Sequence, residues 1–189
     1  YNTSICISFH SEEIYDQIEK QINSISSETL LFLQNISELK IEIPDFENSW
    51  NVERDENVVE ITTGDKESYI WNLYSKYGEI PDKLLDEDQI ENKYEIKIAV
   101  PDQVSESPGR IFVYFPTKEE FPFSVIAHAT FELSANRQHI NESEINQYIS
   151  NELALLMADA ASKIVRPNDP WFALTSFVPQ SEHISMALD

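Results

Sequence analysis

Phe121-Pro122-Phe123-Ser124-Val125-Ile126-Ala127-His128-Ala129-Thr130-Phe131-Glu132-Leu133-Ser134-Ala135-Asn136-Arg137-Gln138-His139-Ile140 joins a long apolar segment to a polar turn. Residues 123–132 read as a β-strand, with Val125, Ala127, Ala129 and Phe131 on one face and Ile126, His128, Thr130 and Glu132 on the other. Two alanines on one face leave room for a helix to approach closely. A candidate follows at once, because Ile145, Ile149, Leu153, Leu156, Ala160 and Ile164 step by three or four residues and stop before Pro167. His128, on the face away from that helix, is expected to be a strand residue on the wetter side.

Upstream, the apolar period is two almost throughout. Leu39, Ile41 and Ile43 alternate with charges until Pro44, and Trp50, Val52 and Arg54, then Val58, Val59 and Ile61, then Tyr69, Trp71 and Leu73 continue the pattern. The connections Asp55-Glu56-Asn57 and Thr63-Gly64-Asp65-Lys66 read as hairpin turns, the second by virtue of a glycine able to take positive φ. Residues 78–92 are acidic and read as a mobile surface excursion with a helical turn near Leu84. Tyr94, Ile96, Ile98 and Val100 form a further alternating strand, Arg110 to Phe115 a nearly continuous apolar one suited to a central place, and Thr117-Lys118-Glu119-Glu120 a turn. At the start, Asn2 to Phe9 alternate as a strand. Ser11 then caps an amphipathic helix bearing Ile14, Ile18, Ile22 and Ile25, and Leu30, Leu31 and Phe32 are too apolar to lie in water. Together these elements predict an α+β fold, a mostly antiparallel sheet with a long helix over residues 143–164 packed on one face as a two-layer sandwich.

With 189 residues and 41% hydrophobic content, the chain can bury a substantial core. It carries 13 basic and 34 acidic residues, a net charge of −21, so nucleic-acid contact is not expected. No apolar run reaches membrane-spanning length or resembles a signal peptide, and with its single cysteine, Cys6, the chain is expected in the cytoplasm, away from membranes. The chain begins at Tyr1, which suggests an internal segment of a longer protein. His10, His128, His139 and His183 have no metal-ligand spacing among themselves or with Cys6. Only Gly64, Gly78 and Gly109 are available, too few for a phosphate-cradling loop, and no Gly-x-Ser-x-Gly elbow is present. The segment is therefore expected to hold no metal or cofactor and to be no enzyme by itself.

Three landmarks resemble the GHKL ATPases, in particular the sacsin-type proteins and the ninety-kilodalton heat-shock chaperone. Thr3 to Phe9 followed by a helix looks like the last strand of the ATP-binding domain and the connector leaving it. Ser27-Glu28-Thr29-Leu30-Leu31-Phe32-Leu33-Gln34-Asn35-Ile36 looks like the segment that follows. Val113-Tyr114-Phe115-Pro116, Phe121-Pro122-Phe123 and Phe131-Glu132-Leu133-Ser134-Ala135-Asn136-Arg137 resemble the sacsin pattern in which a strand leads to a serine-bearing turn ending in arginine. The same turn is similar to the chaperone's middle-domain run Asn-x-Ser-Arg-Glu-x-Leu-Gln. Its arginine falls on Arg137, its leucine on Ile140 and its glutamine on Asn141, and Gln138 stands where that family has glutamate.

This resemblance implies a transducer segment whose ATP-binding domain lies upstream. Residues 1–25 would be the connector, 26–166 the transducer-like domain and 167–189 a tail or linker. Arg137, with Asn141 as a second contact, would reach the γ-phosphate of ATP held with Mg by the neighbouring domain of the same chain, and the segment alone would neither bind nor hydrolyse ATP. A client or partner protein is also implied. Read from the residues alone, Arg137 could equally be a surface arginine paired with an acid, and Asn141-Glu142-Ser143-Glu144 a capping box closed by Asn141. The whole chain could be an acidic protein-protein interaction module with no nucleotide role.

Overall fold

A computed structural model describes residues 11–23, 25–43, 46–85, 92–103 and 108–179. Its centre is a sheet of eight strands: β1 Glu38–Ile43, β2 Phe46–Asp55, β3 Val58–Thr63, β4 Ser68–Glu79, β5 Lys93–Pro101, β6 Gly109–Val113, β7 Phe115–Phe121 and β8 Ile126–Ala129. The spatial order is β1-β2-β3-β4-β5-β8-β6-β7, and every neighbouring pair is antiparallel except β6 with β8. The helices are α1 Glu12–Asn23, α2 Glu144–Lys163 and α3 Phe172–Phe177. The fold is thus α+β, a mostly antiparallel sheet with the long helix α2 packed on one face.

The alternation of the central strands sorts their side chains into two cores. Ile96, Ile98 and Val100 of β5, with Val125, Ala127, Ala129 and Phe131 in and around β8, meet Ile145, Ile149, Leu153 and Leu156 of α2. Ala127 and Ala129 are both fully buried there, as small residues beneath a helix should be. The opposite face is also covered. Leu30, Leu31 and Phe32 close over Trp50, Val52, Val59, Ile61, Trp71, Phe112 and Ile126. Arg54 fixes this cover, its guanidinium donating to the carbonyls of Leu30 (2.7 Å), Leu33 (3.2 Å) and Ile36 (3.1 Å). These carbonyls belong to a short 3-10 turn, Ser27–Leu30, and the residues after it; those of Leu30 and Leu33 already accept from the Leu33 and Ile36 N–H groups, so the guanidinium adds a charged second donor to each.

Several local expectations are corrected. Thr117–Glu120 is no turn. It lies within the edge strand β7, and the chain reverses at Tyr114, whose φ of 62° makes a tight connection to β6. The strand expected over 123–132 is regular only at Ile126–Ala129, because the segment before it bends so that the Ser124 N–H donates to the Ser176 carbonyl (3.2 Å). Gly78 belongs to β4, which pairs with β5 as far as Glu79 and Lys93, so the acidic excursion starts later than its composition suggests. Gly64 has no positive φ; Lys66 (φ 68°) takes that role in its turn. His128 does not lie on a wet face but is fully buried, because Phe32 stacks over it. The expected strand at Asn2–Phe9 and the acidic cluster Asp86-Glu87-Asp88 lie outside the described residues.

α1 starts where expected, the Ser11 hydroxyl accepting from the Ile14 N–H (3.4 Å), yet none of its residues is buried. At the other end, Phe172 packs into the α2-side core, and Arg166 lies 3.4 Å over its ring while donating to Asp102 Oδ1 (3.0 Å). No helix among the described residues is long and apolar enough to cross a membrane.

Two glycines make opposite predictions. At Gly109 an added Cβ would lie 1.8 Å from the Val125 carbonyl oxygen, so backbone must move. Gly109→Ala is expected to destabilise the protein by about 3 kcal/mol or more. At Gly64 the nearest atom is the Ser49 hydroxyl oxygen at 3.0 Å, a side chain that can rotate away, and the backbone φ suits any residue. Gly64→Ala is expected to lie within about 1 kcal/mol of wild type. Urea denaturation of both variants checks the contrast.

Candidate functional site

The turn that carries Arg137 is closed at its base by an antiparallel bridge between Leu133 and Ile140. Inside it, the Ser134 carbonyl accepts from the Arg137 N–H (2.7 Å) and the His139 carbonyl accepts from the Ser134 N–H (2.8 Å). Asn136 Oδ1 accepts from the Gln138 N–H (3.0 Å) and from the Ser134 hydroxyl (2.7 Å), which itself accepts from the His139 N–H (3.2 Å). The sequence makes this possible because serine and asparagine side chains mimic backbone partners in turns. Arg137 itself adopts φ 58°, an uncommon left-handed conformation for a residue with a side chain. It is exposed, and among the described residues its guanidinium has no ion pair, in a chain with 34 acidic residues against 13 basic ones.

Two further connections tie the turn to the sheet. The Lys118 N–H of β7 donates to the Gln138 carbonyl (2.9 Å), and Glu119 Oε1 accepts from the Ile140 N–H (3.1 Å) while lying 3.2 Å from His139 Nδ1. On the side of α2, the key residue is Asn146. Its carboxamide is buried, accepts from the Glu132 N–H (2.8 Å) and donates to the carbonyls of Glu132 (2.9 Å) and Asn141 (2.8 Å). Sequence reasoning missed it; the signal was an amide flanking Ile145 at the start of an apolar helix face.

Asn141 does not close the helix. Ser143 is the N-cap, its hydroxyl accepting from the Asn146 N–H (3.2 Å) and donating to Glu132 Oε2 (2.7 Å), while Asn141 Nδ2 donates to the Leu133 carbonyl (3.2 Å). The capping position shifts by two residues because Asn141 is still held against the exit of the strand. The structure thus puts Arg137 and Asn141 on one turn, with the Asn141 amide nitrogen already engaged.

A second polar constellation lies on the other face, beneath Phe32. Lys97 and Glu95 of β5 form a buried ion pair, and His128, across from Lys97 on β8, has Nε2 3.7 Å from Glu95 Oε2. The Tyr114 N–H donates to His128 Nδ1 (3.3 Å), which places the imidazole proton on Nε2, where it finds no hydrogen-bond acceptor among the described residues. Phe32 stacks on the ring at 5.0 Å and Tyr114 tilts against it at 4.8 Å. Burial holds the His128 imidazole down to about 4; the Glu95 carboxylate pulls the other way and Lys97 adds to the depression. Burial alone would raise the Glu95 carboxyl, but the hydrogen bond and charge of Lys97, helped by Tyr77 and His128, leave it below the ordinary range. Hollows of about 370 and 510 Å³ both border Glu95 and Tyr114, and neither includes Arg137 or Asn141. Arg137 lies outside both hollows, exposed on its turn.

Comparison of the chain with protein-family models, curated proteins and solved structures finds no match.

Two predictions follow from this geometry. Asn146→Ala leaves the Glu132 N–H and the Asn141 carbonyl without this partner in a buried site, while the Glu132 carbonyl keeps the Asn141 N–H, a cost of about 2–3 kcal/mol, whereas exposed Asn141→Ala costs about 1 kcal/mol or less. Denaturant midpoints should show that order. For His128 the unfolded chain takes up a proton near pH 6.5 and the native state only near about 4, so the unfolded state binds more protons between those values. Stability should therefore fall as pH drops through that window, by about 2–3 kcal/mol from this group. Denaturation at pH 7, 5.5 and 4 should show the slope, and His128→Gln should flatten it.

Proposed function

We propose that this chain is the middle, transducer-like segment of a GHKL-type ATPase related to sacsin and the ninety-kilodalton heat-shock chaperone. In this reading it is non-catalytic by itself and presents Arg137 to the γ-phosphate of ATP held, with Mg, by the preceding domain of the same polypeptide. The observation that carries the reading is the state of Arg137, the residue that matches the family's arginine. It stands exposed at the tip of a turn fixed on both limbs, and among the described residues no acid pairs with its guanidinium.

The chemistry expected of it is electrostatic. A guanidinium offers several donors in one plane and keeps its charge, so it suits the oxygens of a transferring phosphoryl group. Held on a preorganised turn, it stabilises charge that develops in the transition state without first having to be ordered. Asn141 is the weaker second contact; its Nδ2 carries two hydrogens, one donated to the Leu133 carbonyl and the other left to donate to a phosphate oxygen. The turn sits between β8 in the sheet interior and α2, so engagement of Arg137 would pull on both layers at once, a route for coupling nucleotide state to domain movement.

Arg137→Ala in the full-length protein is expected to leave folding and ATP affinity nearly intact and to slow hydrolysis by about tenfold or more. Steady-state turnover with a parallel nucleotide-binding titration measures both. An unchanged turnover number would return Arg137 to the ordinary surface and favour the acidic interaction module.

A further inference from the structure

The Arg137 turn has a strut outside itself. Most of its hydrogen bonds are internal, running among Ser134, Asn136 and His139, and such bonds shape the turn without fixing where it points. Among the described residues, Glu119 is the side chain of the sheet that bonds to the limb leaving Arg137. A single oxygen, Oε1, accepts from the Ile140 N–H at 3.1 Å and contacts His139 Nδ1 at 3.2 Å. Glu119 is itself well founded. It is half-buried on β7, its N–H donates to the Thr117 hydroxyl (3.3 Å), and that buried hydroxyl donates to the Ile111 carbonyl of β6 (2.8 Å). Ile111 in turn lies opposite Ala127 of β8. A continuous path of short contacts therefore runs from the sheet interior through Thr117 and Glu119 to the residues after Arg137.

We infer that Glu119 is a positioning residue for Arg137, setting the direction of the guanidinium by pinning Ile140 and His139 to the edge strand. This rests on the reading of Arg137 given above. It differs from a plain surface ion pair, because one partner is a backbone N–H whose position moves the chain three residues from Arg137. Removing the carboxylate leaves the turn's internal bonds and the Lys118 N–H bond to the Gln138 carbonyl in place, so the turn keeps its shape and loses the tie on the limb leaving Arg137, which weakens its aim.

The test is a double-mutant cycle on turnover in the full-length protein. Glu119→Ala should slow ATP hydrolysis by about two- to tenfold, the rate equivalent of one lost hydrogen bond, with the Michaelis constant for ATP little changed. Glu119→Gln, whose amide oxygen still accepts from the Ile140 N–H, should recover most of that loss. In an Arg137→Ala background, Glu119→Ala should have no further effect, because there is no guanidinium left to aim. If Arg137→Ala slows turnover but Glu119→Ala does not, or if Glu119→Ala slows it equally in both backgrounds, the positioning role is overturned. If Arg137→Ala itself leaves turnover unchanged, the reading of Arg137 fails and the role of Glu119 with it.

Discussion

The carboxamide of Asn146 is the contact on which the arrangement around the turn depends. A strand leaving a sheet and a helix returning over it each present unpaired backbone groups, and burying them without partners would cost about 1–3 kcal/mol apiece. Asn146 satisfies the N–H and the carbonyl of Glu132 at the strand's exit and the carbonyl of Asn141 just before the helix. It does so from the helix's first turn, where its own N–H is taken by the Ser143 cap. One side chain thus sets the distance between sheet and helix, and the loop between them has to span that fixed gap.

The gap explains why the loop is so internally bonded. With its ends held by Glu132 and Asn141, the segment closes through the Leu133–Ile140 bridge and must place the residues between in a small space, which is why Arg137 takes positive φ. An arginine in that conformation costs something relative to glycine, and the surrounding hydrogen bonds to Ser134 and Asn136 are what hold it there. The same constraint separates Asn141 from Arg137 in kind. Asn141 is part of the closure, with both its backbone and its amide nitrogen engaged, whereas the Arg137 side chain is engaged by nothing among the described residues.

Periodicity made the two-faced central strand and the long helix legible, because alternation and the three-to-four spacing report directly which side of an element is buried. Val125, Ala127, Ala129 and Phe131 do face Ile149 and Leu153. Periodicity is silent about what covers the other face. Lys97, Glu95 and His128 look like an ordinary polar side of a strand, and only the long-range arrival of Phe32, on a segment docked by the Arg54 guanidinium reaching back 24 residues to the Leu30 carbonyl, turns them into a buried cluster. β7 was hidden for a related reason: Thr117-Lys118-Glu119-Glu120 looks like a turn, yet a sheet edge accepts such charge, and Pro116 before it, because one side of its backbone needs no partner. Glu119 and Asn146 were unreadable because their roles lie in contacts with backbone far along the chain, 21 residues away in one case and 14 in the other.

The two faces of the sheet divide the work between them. The face under Phe32 holds its charges inside, where Lys97 and Glu95 neutralise one another and His128 is kept uncharged by burial near neutral pH. A buried pair of this kind gains little net energy, because taking both charges out of water offsets most of their attraction. Arg137 lies on the turn that connects the sheet to α2. It is exposed without an ion pair among the described residues, and the accepting oxygen of Glu119 on the neighbouring edge strand is committed to Ile140 and His139. The acid beside the turn thus acts on the backbone, through the Ile140 N–H, rather than on the guanidinium.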